Sequence, residues 1–408
     1  MIENLHKKHR NLLIWIGLLC PLLSGCWDRL EIEERANILG IAIDYIQKDE
    51  DTQKESDVSH LKHLFPKPSK NLIEITAQIA VPGRIPLGPE SGSSGNQKPV
   101  WVLSSVGHTL DDAILNLQQE VADRLFLGHL RVIIVSDKFA RKGVGELNDY
   151  LRRNPEVRRT AWMIISDGKA STLMESSPQL ERIPTLYLSA MMDHAVSLGK
   201  FPRDFLGIFW SSLSKKGQEP FLPVIKVKRN ENAEIAGMAY FVEDRMVGLL
   251  QPLEIGFFMA AKGIKQGGYA AFTPIPDEKT VVLARARTRR SQVVVNMKEG
   301  KPKIRLHIHV ETDIDEKFNH GHALRPPILK KISTELSQRG KKSVQSIIVQ
   351  TQKEGADILG LGEHIRAKLP AYWDSNIRTK ENWRKAYQQL EVEVIFTTSI
   401  HRIGMKVK

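Results

Sequence analysis

Cysteine is scarce in this chain, with two in 408 residues. A disulfide-stapled scaffold is therefore excluded, and the fold must rest on its apolar core. Glycine and proline number 28 and 20, too few for a collagen-like or low-complexity chain. Uninterrupted apolar runs long enough to span a bilayer are missing, and a mean hydropathy of −0.27 excludes a polytopic membrane protein. Acidic residues are in deficit, 47 against 59 basic ones, giving a formal charge of +12. Such a chain seeks an acidic partner, either nucleic acid or an anionic membrane surface. What is present is globular in character, with 41% hydrophobic and 26% charged residues. The length suits two or three domains at ~100–200 residues each.

The N-terminus decides between those partners. Lys7, Lys8 and Arg10 are basic, and residues 12–23 are apolar and uncharged. That stretch fits the apolar region of a secretion signal and falls short of the ~20 residues that cross a bilayer. It ends in Leu23-Ser24-Gly25-Cys26: a branched apolar residue, two small residues and a cysteine. This is the pattern of a lipoprotein signal, with cleavage between Gly25 and Cys26 and a diacylglycerol joined to the Cys26 thiol. A buried helix with an incidental cysteine, or an ordinary cleaved signal, leaves part of the pattern unexplained. Two acyl chains anchor stably, at ~0.8 kcal/mol per buried methylene. Cys20 departs with the signal peptide, so the mature chain keeps no free thiol. Its body is expected outside the cytoplasm, away from nucleic acid, with its basic excess facing lipid headgroups or an acidic protein.

Periodicity divides the rest into two parts. Residues 38–45 and 72–81 read as strands that can pair as a wide hairpin, separated by a charged loop over 47–70. A Gly-, Ser- and Pro-rich connection over 82–99 leads to a strand at 100–106. Thr109 is placed to cap a helix carrying Leu110, Ala113, Ile114, Leu117 and Val121 on one stripe. A strand at 130–136, a helix at 137–153 broken near Gly143 or Gly145, and a strand at 161–166 follow. This alternation argues α/β with adjacent, parallel strands. Further helical segments occupy 171–215.

The second half is expected to be α+β, a mostly antiparallel sheet against helices. Its strands fall at 224–228, 234–242, 245–250, 280–288, 293–297 and 304–313, with Glu243-Asp244 as a tight turn. Residues 326–354 are helical, with a break expected at Gly340, and 391–403 form a closing strand. The predicted fold is mixed α+β and α/β. The signal peptide spans 1–25, an N-terminal α/β domain 26–215 and a C-terminal α+β domain 216–408, divisible near 216–325 and 326–408.

Catalytic patterns fail on inspection. Gly168-Lys169 suggests a phosphate loop, but Ala170 stands where Ser or Thr must hold the metal, and Met163 where the first glycine belongs. There is no Gly-x-Ser-x-Gly elbow. His307 and His309 share a strand face near His320, His322, Asp313 and Asp315, yet nothing fixes the loop to the strand, and a solvated face explains them. Arg152, Arg153, Arg158 and Arg159 flank the turn Asn154-Pro155, and Arg285, Arg287 and Arg289 alternate along one strand face. Either group can meet anionic lipid at about 1 kcal/mol per charge, or simply be solvated. Gly360-Leu361-Gly362 can cradle an anion, although a helix-joining turn is the simpler reading.

Several of these words together resemble the Ger(x)C family, the lipoprotein C subunits of spore nutrient germinant receptors. They are Cys26-Trp27-Asp28 with Glu31-Ile32, Gly40-Ile41-Ala42-Ile43-Asp44, the stretch from Phe126 to Ile134, and Leu151-Arg152-Arg153-Asn154-Pro155-Glu156. Gly237-Met238-Ala239, Met246-Val247-Gly248, Asp357-Ile358-Leu359-Gly360-Leu361-Gly362, Trp373, Trp383 and Ile400-His401-Arg402-Ile403-Gly404 continue it. The charged stretch over 47–70 is longer than the connection expected there. The resemblance implies a non-enzymatic scaffold or interaction subunit on the outer face of the spore's inner membrane, beside polytopic A and B subunits. The trio responds to small nutrients, which the polytopic partners are expected to hold. Lipidated Cys26 is the one site residue that transfers; no metal, nucleic acid or cofactor beyond the Cys26 lipid is implied. The competing expectation is a lipid-anchored solute-binding protein of a transporter.

Overall fold

The computed structural model describes residues 35–46, 72–81, 99–176, 181, 183–229, 232–275, 281–318 and 324–402. Its first sheet begins with β1 (Arg35–Tyr45), β2 (Ile73–Ala80) and β3 (Val100–Gly107), joined as an antiparallel meander. Helix α1 (Leu110–Glu120) then returns along the sheet, capped by Thr109, whose hydroxyl accepts from Asp112 N at 3.2 Å. A short strand β4 (Arg124–Phe126) lies parallel to the start of β1. Strand β5 (Val132–Ser136) enters beside β1, parallel to it. Helices α2 (Asp137–Lys142) and α3 (Gly145–Arg153) break at Gly143, as the glycines suggest.

Strand β6 (Trp162–Ser166) pairs parallel with β5. Helices α4 (Ser171–Glu175), α5 (Pro184–Ser197) and α6 (Leu206–Ser214) precede β7 (Phe221–Lys228), which adds parallel to β6. Strands β8 (Asn232–Val242) and β9 (Arg245–Leu250) finish the sheet as antiparallel hairpins, turning at Glu243 with φ 54°. The order is β3-β2-β1-β5-β6-β7-β8-β9, with β4 on the side of β1. The expected β-α-β alternation therefore holds for β5 and β6. Strand β3, however, is an antiparallel edge and does not neighbour β5.

Burial explains the uninterrupted apolar runs. Along β5, Val132 and Ile134 face one core while Ile133 and Val135 face the other. Both faces are covered, α1, α2, α3 and α6 on one and α4 and α5 on the other, so no polar alternation is needed. Each fully buried Ile or Val there is worth about 1.5–3 kcal/mol.

Helix α7 (Pro252–Ala261) carries the chain to a four-stranded sheet of β10 (Ala270–Pro274), β11 (Val281–Lys298), β12 (Lys301–Phe318) and β13 (Glu391–Arg402). The first three pair antiparallel, and β13 joins β12 in parallel. The two strands expected at 280–288 and 293–297 are one long strand, β11. The chain changes sheets between β9 and β10, whereas the sequence places its domain edge at 215/216, before three strands of the first sheet.

Helix α8 (Pro326–Glu354) crosses the second sheet, followed by α9 (Leu361–Lys368), a π-helical turn Trp373–Ile377 and α10 (Lys380–Gln388). Gly340 does not break α8. It lies under the Phe396 ring, where any Cβ would overlap the aromatic carbons. The glycine serves close approach of helix and sheet, not interruption. Among the described residues, no helix is long and apolar enough to cross a membrane.

Candidate functional site

Cys26 and Gly25 lie outside the described residues, as do His320 and His322. The described residues begin at Arg35, nine positions beyond Cys26. The end of the sheet reached first is basic. Arg35 opens β1 beside Arg124 of β4, and its guanidinium stands 4.7 Å from the Phe126 ring centroid. Arg131 leads into β5, where its N–H donates to Leu39 O at 2.8 Å, and Arg158 and Arg159 lie just before β6. The strands β1, β5 and β6 are parallel, so these arginines gather at their shared amino-terminal edge. Arg131, Arg158 and Arg159 are exposed. Exposed His129 registers the field: burial, then the charges of Arg158, Arg131 and Arg35, hold its imidazole below the ordinary value. One acid intrudes, Glu156, which pairs with Arg124 at 3.3 Å and accepts from Leu127 N.

The other expected arginine positions go elsewhere. Arg152 stacks 5.4 Å from the Trp210 ring, and Arg153 pairs with Asp149 at 2.7 Å. Arg285 makes a two-pronged pair with Asp315 at 2.7 and 2.8 Å, and Arg287 contacts His401. Arg289 does not share their face. The β11–β12 register slips by one residue between Ala286 and Thr288, and such a bulge reverses the side-chain alternation beyond it. Arg289 is accordingly turned inward, to 1% exposure.

Both sequence words that read as anion cradles hold carboxylates of the chain itself. Asp357 Oδ1 accepts from Gly360 N at 2.8 Å, and Oδ2 from Gly362 N at 2.8 Å and Trp383 Nε1 at 3.1 Å. Burial raises the Asp357 carboxyl to about 6, against these N–H donors and the Lys262 charge. At Gly168-Lys169 the next two amides, Ala170 N and Ser171 N, donate to Asp44 at 2.8 and 3.0 Å. In both turns these amides are taken by the chain's own carboxylates rather than left for an external phosphate.

Nothing in the sequence pattern announces the charges around Asp357. Lys262, pushed down by burial, donates to Leu359 O at 3.0 Å, and the fully buried Asp204 carboxyl is held well above its ordinary range. Nearby Glu219, 2% exposed, takes Lys380 at 2.9 Å and Arg384 at 3.2 Å. These pairs join the α6–β7 connection to α10, and Gly217 N, in the same connection, donates to Glu363 of α9 at 2.8 Å; together they fasten the first sheet to the C-terminal helices. His307 and His309 do share the outer face of β12, but His309 is engaged by Thr397 and Ser399 at 2.9 and 3.1 Å. Among the described residues no three His, Cys, Asp or Glu side chains cluster as a metal site.

The opposite edge of the first sheet carries a broad groove of about 1060 Å³, bordered by Tyr45, His108, Phe139, Lys142, Tyr150 and Arg245. Tyr45 stacks on Phe139 with ring centroids 4.4 Å apart, and Lys142 Nζ lies 4.1 Å over the Tyr45 ring. The Tyr45 end of the groove lies about 33 Å from Arg35 along β1, at ~3.3 Å per residue, while its other end reaches Asn154 and Pro155, beside the basic edge.

Residues 28–227 match the family described as Spore germination protein N-terminal domain, and residues 236–404 match Spore germination B3/ GerAC like, C-terminal. The chain is similar to spore germination protein KC of Bacillus subtilis (strain 168), 22% identical, with 94% of this chain and 93% of the relative covered. It is also similar to spore germination protein GerQC of Bacillus cereus, 25% identical over 78% of this chain and 85% of the relative. The crystal structure of the GerBC protein shares the fold, with a TM-score of 0.54 and 16% identity, covering 82% of this chain and 95% of that one. With the two family matches in register and in order along nearly its whole length, the chain belongs to the Ger(x)C family of spore germination proteins.

Proposed function

We propose that this chain is the lipid-anchored subunit of a spore nutrient germinant receptor, held by a diacylglycerol on Cys26 to the outer face of the spore's inner membrane. It acts there as a scaffold beside polytopic A and B subunits and contacts the nutrient only indirectly. The observation that carries the reading is the placement of the basic edge. Nine residues extend at most about 30 Å, so a lipid on Cys26 keeps the Arg35 end of β1 close to the bilayer. Arg35, Arg131, Arg158 and Arg159 then face anionic headgroups, at about 1 kcal/mol per charge near the surface. The Tyr45 end of the groove lies at the far end of β1 from the anchored edge. Confinement to two dimensions raises the effective concentration of the subunit near membrane partners. Relatives named as spore germination proteins support the receptor assignment.

The test is the nutrient-triggered fall in optical density of spores lacking this chain, over a panel of amino acids and sugars. Loss of response to one nutrient set is expected, restored by the wild-type gene. A Cys26→Ala gene, expressed behind an ordinary cleaved signal, should not restore it, and its product should leave the membrane fraction. Unchanged germination on every nutrient, together with loss of uptake of one solute, would replace the receptor reading with that of a solute-binding lipoprotein.

A further inference from the structure

The inward turn of Arg289 leaves a buried cation with no carboxylate partner among the described residues. Its Nη2 donates to Gly199 O at 3.3 Å, while Nη1 has no hydrogen-bond partner among the described residues. Burial lowers the guanidinium to about 10, with Tyr269 opposing, so it stays charged at neutral pH. Tyr269 supplies no negative charge: burial raises its phenol to about 12, and its hydroxyl is used on Lys200 O at 2.8 Å. Lys200 adds a further cation, its Nζ 4.6 Å from the Tyr269 ring centroid. An unpaired buried charge is costly, and natural folds pair it, hydrate it or use it to recognise a ligand.

Arg289 borders a cavity between α7, α8 and the second sheet, whose other walls include Ala271, Ala284, Ala286, Val310 and Phe396. No Asp or Glu is among the described residues that line it. Thr398 also lines it, and its Oγ1 has no partner among the described residues. Leu253, 43% exposed, stands on the lining and gives the cavity a solvent side. The space open to the centre of a water molecule is about 70 Å³. One water takes ~10–15 Å³ on that measure, so roughly five to seven heavy-atom groups fit.

We propose that this cavity binds a small aliphatic monocarboxylate, its carboxylate on Arg289 and its chain against the alanine-lined wall. The chemistry follows from the wall. One cation and one unpartnered hydroxyl suit a carboxylate, and the small apolar residues leave room for three or four carbons. No carboxylate is offered to a ligand ammonium, which sets the site apart from one built for zwitterions.

The experiment is thermal unfolding of the full lipidated chain in detergent, titrated with butyrate and isovalerate, and with isobutanol and butylamine as matched controls. The carboxylates are expected to raise the Tm saturably, the alcohol and the amine to leave it unchanged. Arg289→Gln should weaken binding by about tenfold or more. Ala284→Leu, which fills the cavity and retains the guanidinium, should abolish it, and this variant decides the matter if Arg289→Gln fails to fold. Absence of a saturable shift with either carboxylate would overturn the proposal. So would equal shifts in wild type and Ala284→Leu, which mark a general salt effect.

Discussion

The indole Nε1 of Trp383 on α10 donates to Oδ2 of Asp357, 3.1 Å away, in the loop that follows α8. That bond ties two C-terminal helical segments through one carboxylate, which also receives Gly360 N and Gly362 N. Gly362 is required by the same packing, since a Cβ there would overlap the Trp383 indole.

Asp357→Asn tests the cradle. The amide offers one acceptor oxygen where the carboxylate offers two, and its NH2 then faces a donor. At least one buried N–H loses its partner, at about 1–3 kcal/mol each. A fall in unfolding free energy of about 2–4 kcal/mol is expected by denaturant titration. A loss below 0.5 kcal/mol would show that the cradle contributes little, within the range of ordinary surface changes of about ±0.5 kcal/mol.

Gly340→Ala is expected to destabilise even though alanine is the better helix former. The gain in propensity is about 0.5–1 kcal/mol, whereas forcing a methyl against the Phe396 ring costs about 1–3 kcal/mol. Pairing the change with Phe396→Leu should recover most of the loss. Chemical denaturation of the two single variants and the double variant gives the coupling directly, and simple additivity would disprove the contact argument.

The comparison of Gly340 with Gly143 shows where sequence reading succeeds. Both were candidates to end a helix, and only Gly143, with φ 129°, does so. Local conformation distinguishes them and composition does not. The apolar runs of β1, β5 and β6 and the Thr109 cap were legible because they follow from short-range periodicity and hydrogen-bonding chemistry. The burial of Arg289 was not, because a one-residue bulge in pairing leaves no mark on the alternation of Arg285, Arg287 and Arg289. Lys262 and Asp204 were equally silent, since isolated charges acquire meaning only when distant segments fold onto them. Cys26, the proposed lipid-bearing residue, is read from pattern alone and lies outside the described residues.

Glu219 gives a prediction with a definite pH sign. Lys380→Met with Arg384→Met leaves its buried carboxylate without cations, which is expected to cost about 3–5 kcal/mol. Glu219→Gln, which removes the buried charge, should cost less. Burial already holds the Glu219 carboxyl above its ordinary value. In the double variant the folded state therefore takes up a proton that the unfolded chain releases. Its deficit should shrink as pH falls through the raised pKa and grow as pH rises. Unfolding curves at pH 5 and pH 8, compared with wild type at each, check the sign, and a pH-independent deficit would refute it.

The basic edge makes the last prediction. The body without lipid, residues 27–408, contains every described residue and isolates the electrostatic contribution from the acyl chains. Arg131→Gln with Arg158→Gln is expected to weaken its binding to phosphatidylglycerol-rich vesicles by about 2 kcal/mol, roughly thirtyfold, at low salt. Lys142→Gln with Arg245→Gln, at the Tyr45 end of the groove, should change it little, although the net charge lost is the same. His129 reports the same field from within. Its imidazole is held down by burial and by Arg158, Arg131 and Arg35, so Arg131→Gln should raise its pKa toward 6.5, and bound anionic lipid should raise it too. Wild-type binding should then strengthen as pH falls through that pKa, because the imidazolium adds a charge at the contact. Vesicle sedimentation with NMR titration of His129 measures both effects. Equal weakening by the two pairs of substitutions would mean that net charge, not this edge, governs attraction to the membrane.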